Sequence, residues 1–190
     1  SIDNGTGDAT TSIVDGSSVG DDLTVKNKGG TGTFDLIDSS VLGSTDIQNS
    51  SVGTTTLFNS NVDGNLKIKN TDGDDTLSIL DGSSVGINLT VDNGAGAGTT
   101  DIIDSSVLGN LSLKNKDGTD NFTQSNSNID GKASIDNGTG DATTSIVDGR
   151  SVGDDLTVQN QGGTGTLDLI DSSVLGSTHS PNSRLGPPTL

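Results

Sequence analysis

An aliphatic residue with Ser or Asn before it and Gly close behind recurs about every 22 residues along the chain. The residues at this position are Val19, Val41, Val62, Val85, Val107, Ile129, Val152 and Val174. A period of this length is typical of solenoids, in which a coil cannot bury its apolar face until a neighbouring coil covers it. The chain is therefore predicted to form about eight stacked coils.

A longer repeat contains the short one. Residues 1–45 recur as residues 134–178, an offset of six short steps. Four positions differ between the two copies: Ser17 becomes Arg150, Lys26 becomes Gln159, Lys28 becomes Gln161 and Phe34 becomes Leu167. Near-identity over this length indicates a recent duplication.

One row of asparagines keeps the same period. Its members are Asn4, Asn27, Asn49, Asn70, Asn93, Asn115, Asn137 and Asn160. Residues at a constant position in successive coils stack above one another. Because unpaired buried polar groups are costly, the row predicts a structural ladder in which each amide bonds its neighbours.

A second row holds Asp or Asn and lies about half a period from the first. Its members are Asp15, Asp38, Asn59, Asp81, Asp104, Asn126, Asp148 and Asp171. Carboxylates stacked about 5 Å apart would repel one another if they were buried and bare. We expect this Asx row at a turn, accepting hydrogen bonds from backbone N–H groups or from the following serine. A bound cation is the alternative.

Apolar and polar residues alternate before each row, as in Leu89-Thr90-Val91, and this period of two is typical of strands with one buried face. Gly-rich segments such as residues 28–32 separate the strands and predict turns. Proline, which would interrupt a ladder, is absent before residue 181. These patterns predict an all-β chain with one parallel β-helix domain.

The coil length and the Asn row resemble the right-handed parallel β-helix family over residues 1–178. The resemblance implies a right-handed solenoid, but this fold carries lyases, hydrolases, tailspikes and adhesins alike. The duplicated sequence, which is rich in Gly, Ser, Thr, Asn and Asp and contains no Cys, also resembles repeat regions of large bacterial surface proteins. Residues 179–190 contain every proline and the single His179, and we interpret them as a tail or linker.

The function expected from these resemblances is that of a structural or adhesive repeat segment of an extracellular or cell-surface bacterial protein. Its partners would be copies of itself or other solenoid segments, associating side by side or end to end into a filament. The net charge of −17 argues against nucleic acid, whose phosphates require a basic surface. The sequence contains no long apolar run, so it does not predict insertion into a membrane.

We do not expect an enzyme, and we assign no catalytic residue, because nearly every Asp occupies a repeated position that structure explains. The alternative is a β-helix that binds or cleaves polysaccharide, with catalytic carboxylates in a groove. A minor alternative is ice binding by a regular threonine array. Thr24, Thr90 and Thr157 share one position, but Lys67 and serines interrupt that row.

No cofactor is expected, although one acidic string raises the question of calcium. Asp72, Asp74 and Asp75 lie close together in sequence, and Ca²⁺ takes oxygen ligands of this kind. The Gly-x-Gly-x-Asp pattern of calcium-binding repeats does not recur here at nine-residue spacing. An acidic, solvated turn is the structural explanation.

A further apolar row lies one residue before the Asx row. We call it the apolar stripe, and its members are Ile37, Phe58, Leu80, Ile103, Val147 and Ile170, with Ser125 as an exception. The residues just before it, such as Leu36 and Ile79, are also apolar, and neighbours in a strand point to opposite faces. Either the stripe is exposed and packs against another solenoid or chain, or a bend at the Asx turn brings both rows inside.

Overall fold

The computed structural model describes residues 1–148, 151–181 and 183–185, and within them the chain forms 26 strands in three parallel sheets. Sheet A contains β1 (Ile2–Asp3), β4 (Leu23–Asn27), β7 (Thr45–Asn49), β10 (Leu66–Asn70), β13 (Leu89–Ala95), β16 (Leu111–Asp117), β19 (Ala133–Asp136), β22 (Leu156–Gln159) and β25 (Thr178–His179). Sheet B contains β2 (Ala9–Ile13), β5 (Gly32–Ile37), β8 (Gly53–Phe58), β11 (Asp75–Leu80), β14 (Gly98–Ile103), β17 (Asp120–Ser125), β20 (Ala142–Val147), β23 (Gly165–Ile170) and β26 (Ser183–Leu185). Sheet C contains β3 (Ser18–Val19), β6 (Ser40–Val41), β9 (Asn61–Val62), β12 (Ser84–Val85), β15 (Ser106–Val107), β18 (Asn128–Ile129), β21 (Ser151–Val152) and β24 (Ser173–Val174).

Each strand pairs with the strand three places later in the chain, as β1 does with β4. The chain therefore winds through sheets A, B and C once per coil. We number the coils 1 to 8, from β1–β3 in coil 1 to β22–β24 in coil 8. Equivalent residues pair in register, as Asn27 does with Asn49 and Val41 with Val62. The predicted parallel solenoid of about eight coils is thus confirmed.

The core is a narrow, mostly aliphatic column inside the three sheets. Inward residues such as Val25, Leu36 and Val41 are fully buried, whereas their chain neighbours face outward. The two-residue alternation seen in the sequence therefore becomes an inside and an outside of the coil. Stacking alone buries the apolar side chains, because each coil covers the edge of the next.

One interior column alternates in size from coil to coil. Its members are Thr11, Phe34, Thr55, Leu77, Thr100, Phe122, Thr144 and Leu167, and neighbouring members pair in register. A large side chain next to a small one fills the space between layers without overlap. This interior column of sheet B therefore repeats in side-chain size every two coils.

Outward positions repeat every three coils instead. After the sheet C strand, Leu42, Leu108 and Leu175 occupy coils 2, 5 and 8, and Asp63 and Asp130 occupy coils 3 and 6. The asparagines of the Asx row also recur at coils 3 and 6. An interior period of two and an exterior period of three coincide after six coils, which is the 133-residue offset of the long duplication.

The strand pairing extends past residue 178 as far as Leu185. In sheet A, β25 continues the pairing with β22, and in sheet B, β26 pairs with β23. His179, expected in the tail, thus lies in register with Thr157. Of the residues discussed from the sequence, Arg150 lies outside the described part, as do residues 182 and 186–190 of the expected tail.

Candidate interaction face

The Asn row forms the expected ladder. Each side-chain amide from Asn4 to Asn137 donates through Nδ2 to Oδ1 of the asparagine one coil further along, over distances of 2.6 to 3.3 Å. All members after Asn4 are 2–3% exposed. The ladder pairs polar groups that would otherwise be buried without partners, so its role is structural.

The Asx row lies at the corner between sheets B and C, and all eight residues are exposed. Every member has a left-handed backbone, with φ between 46° and 67°. Asp and Asn adopt this conformation more readily than other residues with a side chain, which explains the row. The carboxylates of Asp38 and Asp104 accept bonds from Asn59 and Asn126 in the next coil.

The serines that follow the Asx row were expected to donate hydrogen bonds to the Asx side chains, but the structure shows other bonds. The hydroxyls of Ser60, Ser105 and Ser127 donate instead to the carbonyl two residues earlier. Ser60 Oγ also accepts the Ser39 N–H at 3.0 Å, so the hydroxyls link neighbouring coils. This serine ladder was missed from the sequence, although a Ser follows the Asx, directly or after one Gly, in every coil except coil 7, where Arg150 stands.

The apolar stripe faces outward at the end of the sheet B strands. Phe58 and Ile170 are each 37% exposed, and the other members are half-buried. By contrast, Leu36 and Ile79, which precede stripe residues, are fully buried. The bend that would have brought both rows inside is not observed, whereas a role of the stripe in binding stays a prediction.

Two more outward columns lie beside the stripe on sheet B. The first contains Thr10, Thr33, Thr54, Thr76, Thr99, Asn121, Thr143 and Thr166, paired in register throughout. The second contains Ser12, Asp35, Thr56, Ser78, Asp101, Thr123, Ser145 and Asp168. We call the three columns together the sheet B face. The Thr column was missed because its threonines lie at the starts of strands, away from the row tested from sequence.

The sheet B face and sheet A differ in charge. Outward side chains of sheet A and its turn include Lys26, Lys69 and Lys114, and nearby lysines form ion pairs such as Lys28 with Asp3 at 2.5 Å. The three columns of the sheet B face contain no lysine, and their charged members are Asp35, Asp101 and Asp168, one in every third coil. The face is therefore mostly uncharged in a chain of net charge −17.

Two carboxylates are buried beside the Asn ladder. Asp75 and Asp120 are 2% and 1% exposed; one oxygen of each accepts the N–H of Gly53 or Gly98 from the preceding coil, at 2.6 and 2.8 Å. The second oxygen of each has no partner in the described residues. Burial raises the pKa of Asp75 to about 7 and that of Asp120 to about 6, and the backbone hydrogen bonds offset part of this effect.

The acidic string at residues 72–75 does not converge on one point. Asp75 points inward, whereas Asp72 and Asp74 are exposed, and Asp74 Oδ1 accepts the N–H of Ala97. Among the described residues no group of three or more metal-binding side chains could hold an ion. The arrangement fits a turn in which the Asp74 carboxylate bonds the next coil and that of Asp75 bonds the preceding one.

No protein family model matches the chain, and neither do curated proteins or solved structures. The described residues also contain no helix long and apolar enough to cross a membrane.

Proposed function

We propose that the chain is a structural, adhesive repeat segment of an extracellular bacterial protein, which associates with copies of itself or with other solenoid segments. The Asn ladder carries this proposal, since it runs unbroken through all eight coils. The polar rows are thereby used for stacking, which favours a rod over a catalytic groove. The mostly uncharged sheet B face supplies a surface for association.

Small-angle X-ray scattering and analytical ultracentrifugation test this proposal together. Eight coils at about 4.8 Å each predict a rod on the order of 40 Å long. We expect an elongated particle at low concentration and larger species as concentration rises. Monomers at every concentration and salt level would contradict self-association.

Ice binding is a second candidate, and the Thr column favours it. Seven of its eight positions are threonine, which places a hydroxyl and a methyl group at about the 4.8 Å inter-strand spacing on a sheet. A regular array of this kind suits a periodic ligand. Thermal hysteresis of the chain measures this activity, and its absence would exclude the candidate.

A matched pair of variants would locate such an activity. Thr76 lies on the sheet B face and Thr90 on the outer side of sheet A, and both are exposed. Thr76→Lys should reduce thermal hysteresis severalfold, because a hydrated ammonium interrupts the column, whereas Thr90→Lys should not. Equal effects would place the activity elsewhere.

Polysaccharide binding remains the alternative with the least support from the structure. Sugars commonly stack on aromatic rings, and the chain has three Phe and neither Tyr nor Trp. Phe34 and Phe122 are buried, which leaves Phe58 as the exposed ring. Incubation with acidic polysaccharides, with and without Ca²⁺, would reveal binding or cleavage.

A further inference from the structure

We propose that the sheet B faces of two copies of this chain pack against each other in antiparallel orientation, with coil 1 of one copy opposite coil 8 of the other. The inference rests on the self-association proposed above and specifies its surface, orientation and register. It follows from the order of side chains in the three columns.

Two symmetric arrangements can bring the faces together. A two-fold axis along the rods places each coil opposite the same coil of the partner, so that Asp35, Asp101 and Asp168 each oppose their own copies. It also places the Thr column opposite the apolar stripe. Like charges in contact repel each other. A polar column that faces an apolar one loses its hydrogen bonds to water without gaining new partners.

A two-fold axis along the strands removes both conflicts. Each column then faces the same column of the partner, with the order of coils reversed. The apolar stripe packs on the apolar stripe and the Thr column on the Thr column. In the register proposed here, coil 2 opposes coil 7, coil 3 opposes coil 6 and coil 4 opposes coil 5.

The middle column is complementary in this register. Asp35 lies opposite Ser145 of the second copy, Asp101 opposite Ser78 and Asp168 opposite Ser12. Every carboxylate therefore meets a hydroxyl that can donate to it, and no carboxylate meets another. This pairing follows from the three-coil period, because coils with Asp oppose coils with Ser.

The stripe is complementary in size and selects one register. Phe58 in coil 3 is the largest stripe residue, and it lies opposite Ser125 in coil 6, the smallest. Shifts of three coils also keep Asp opposite Ser, but they separate Phe58 from Ser125. Full overlap of the eight coils is thus the register that satisfies both columns.

The area is enough for a specific but reversible dimer. Eight coils at about 4.8 Å and strands of six residues at about 3.3 Å each give a face of about 750 Å² per copy. The total of about 1,500 Å² lies within the range of specific protein interfaces. Each copy carries a net charge of −17, so association should strengthen as salt screens the repulsion.

A size exchange between coils 3 and 6 tests the proposal. We expect Ser125→Phe to raise the dimer dissociation constant at least about tenfold, because two Phe rings would then meet, and Phe58→Ser to weaken the dimer by leaving a gap. The double variant Phe58→Ser/Ser125→Phe should return to within about threefold of the original value, since it restores a large residue opposite a small one. Sedimentation equilibrium at 0.5 M NaCl measures all four proteins.

Ser112→Phe on the outer side of sheet A is the matched control and should leave dimerisation unchanged. Far-UV circular dichroism and the thermal midpoint verify the fold of each variant. If the dimer dissociation constant were unchanged in all three variants of the face, the proposed interface would be wrong, whereas self-association would still stand. Single changes that weaken the dimer without rescue in the double variant would overturn the register. Monomers under all conditions would end both proposals.

Discussion

At the scale of single residues, the solenoid buries two carboxylates, which is unfavourable for a charged group. The column after the Asn ladder holds small residues at Ala9, Gly32, Gly53, Gly98, Ala142 and Gly165, and carboxylates at Asp75 and Asp120. Each carboxylate accepts one backbone N–H of the preceding coil, and its other oxygen has no partner among the residues that the structure describes. The ionised form is therefore disfavoured, which is the cause of the raised pKa values.

Asp75→Asn should change how stability depends on pH. The pKa of Asp75 rises from 3.8 to about 7 on folding, so folding favours the protonated group, and this stabilisation is present below about pH 4 and lost as pH rises through 7. Asparagine keeps an acceptor for the Gly53 N–H and cannot ionise. We expect the free energy of unfolding at pH 8 to increase by about 1–3 kcal/mol, as measured by urea denaturation at pH 5, 6.5 and 8.

Asp130→Asn is the control for this change. Asp130 is exposed, so its substitution removes one charge without removing a buried group. It should shift the stability at pH 8 by less than about 0.5 kcal/mol. If the free energy of unfolding of Asp75→Asn fell between pH 5 and 8 by as much as that of the original chain, Asp75 would ionise in the folded chain without cost.

At the scale of elements, the Asn ladder and the small residues of sheet B form one packed unit. A Cβ atom at Gly53 would clash with Nδ2 of Asn49 and Oδ1 of Asn70. Gly32, Gly98 and Gly165 meet ladder amides in the same way. The glycines that begin the sheet B strands therefore leave the space in which the ladder amides reach each other.

Gly53→Ala should destabilise the solenoid by about 1–3 kcal/mol, because the added methyl group must displace two ladder amides. Chemical denaturation measures this difference in the free energy of unfolding. Gly7→Ala is a suitable control, since a Cβ atom there meets nothing within 4 Å. If both substitutions had the same effect, the contact with the ladder would not account for the glycine at position 53.

At the scale of the whole molecule, two periods are combined in one rod. The interior column of sheet B alternates every two coils, while the exterior follows a cycle of three. The interior period reflects packing of large against small side chains, and the exterior period sets the spacing of Asp and Leu along the surface. Coils six apart satisfy both periods, and six coils are the offset at which residues 1–45 recur as residues 134–178.

Insertion of extra coils distinguishes the two periods. A copy of residues 45–88 placed after Asn88 adds two coils and keeps Leu77 next to a threonine, so the thermal midpoint should rise. A copy of residues 23–88 adds three coils but places Leu77 next to Phe34 of the inserted copy, which costs about 1–3 kcal/mol of overpacking. The shorter insertion should therefore raise the thermal midpoint more than the longer one. A rise in the thermal midpoint that follows only the number of coils would show that the interior alternation is unimportant.

Much of the fold could be predicted from the sequence alone. A solenoid converts distance along the chain into stacking in space, so constant spacing was sufficient to predict the eight coils, the Asn ladder and the corner at the Asx row.

Three-dimensional contacts decided which neighbour faces outward. Thr10 and Thr11 are adjacent and alike, yet Thr10 belongs to an exposed column and Thr11 to the core. Asp75, one of three carboxylates in an acidic string, proved to be the buried one for the same reason. Side-chain direction depends on where each turn ends and each strand begins, and spacings that vary between 21 and 23 residues leave that point open until the coils are stacked.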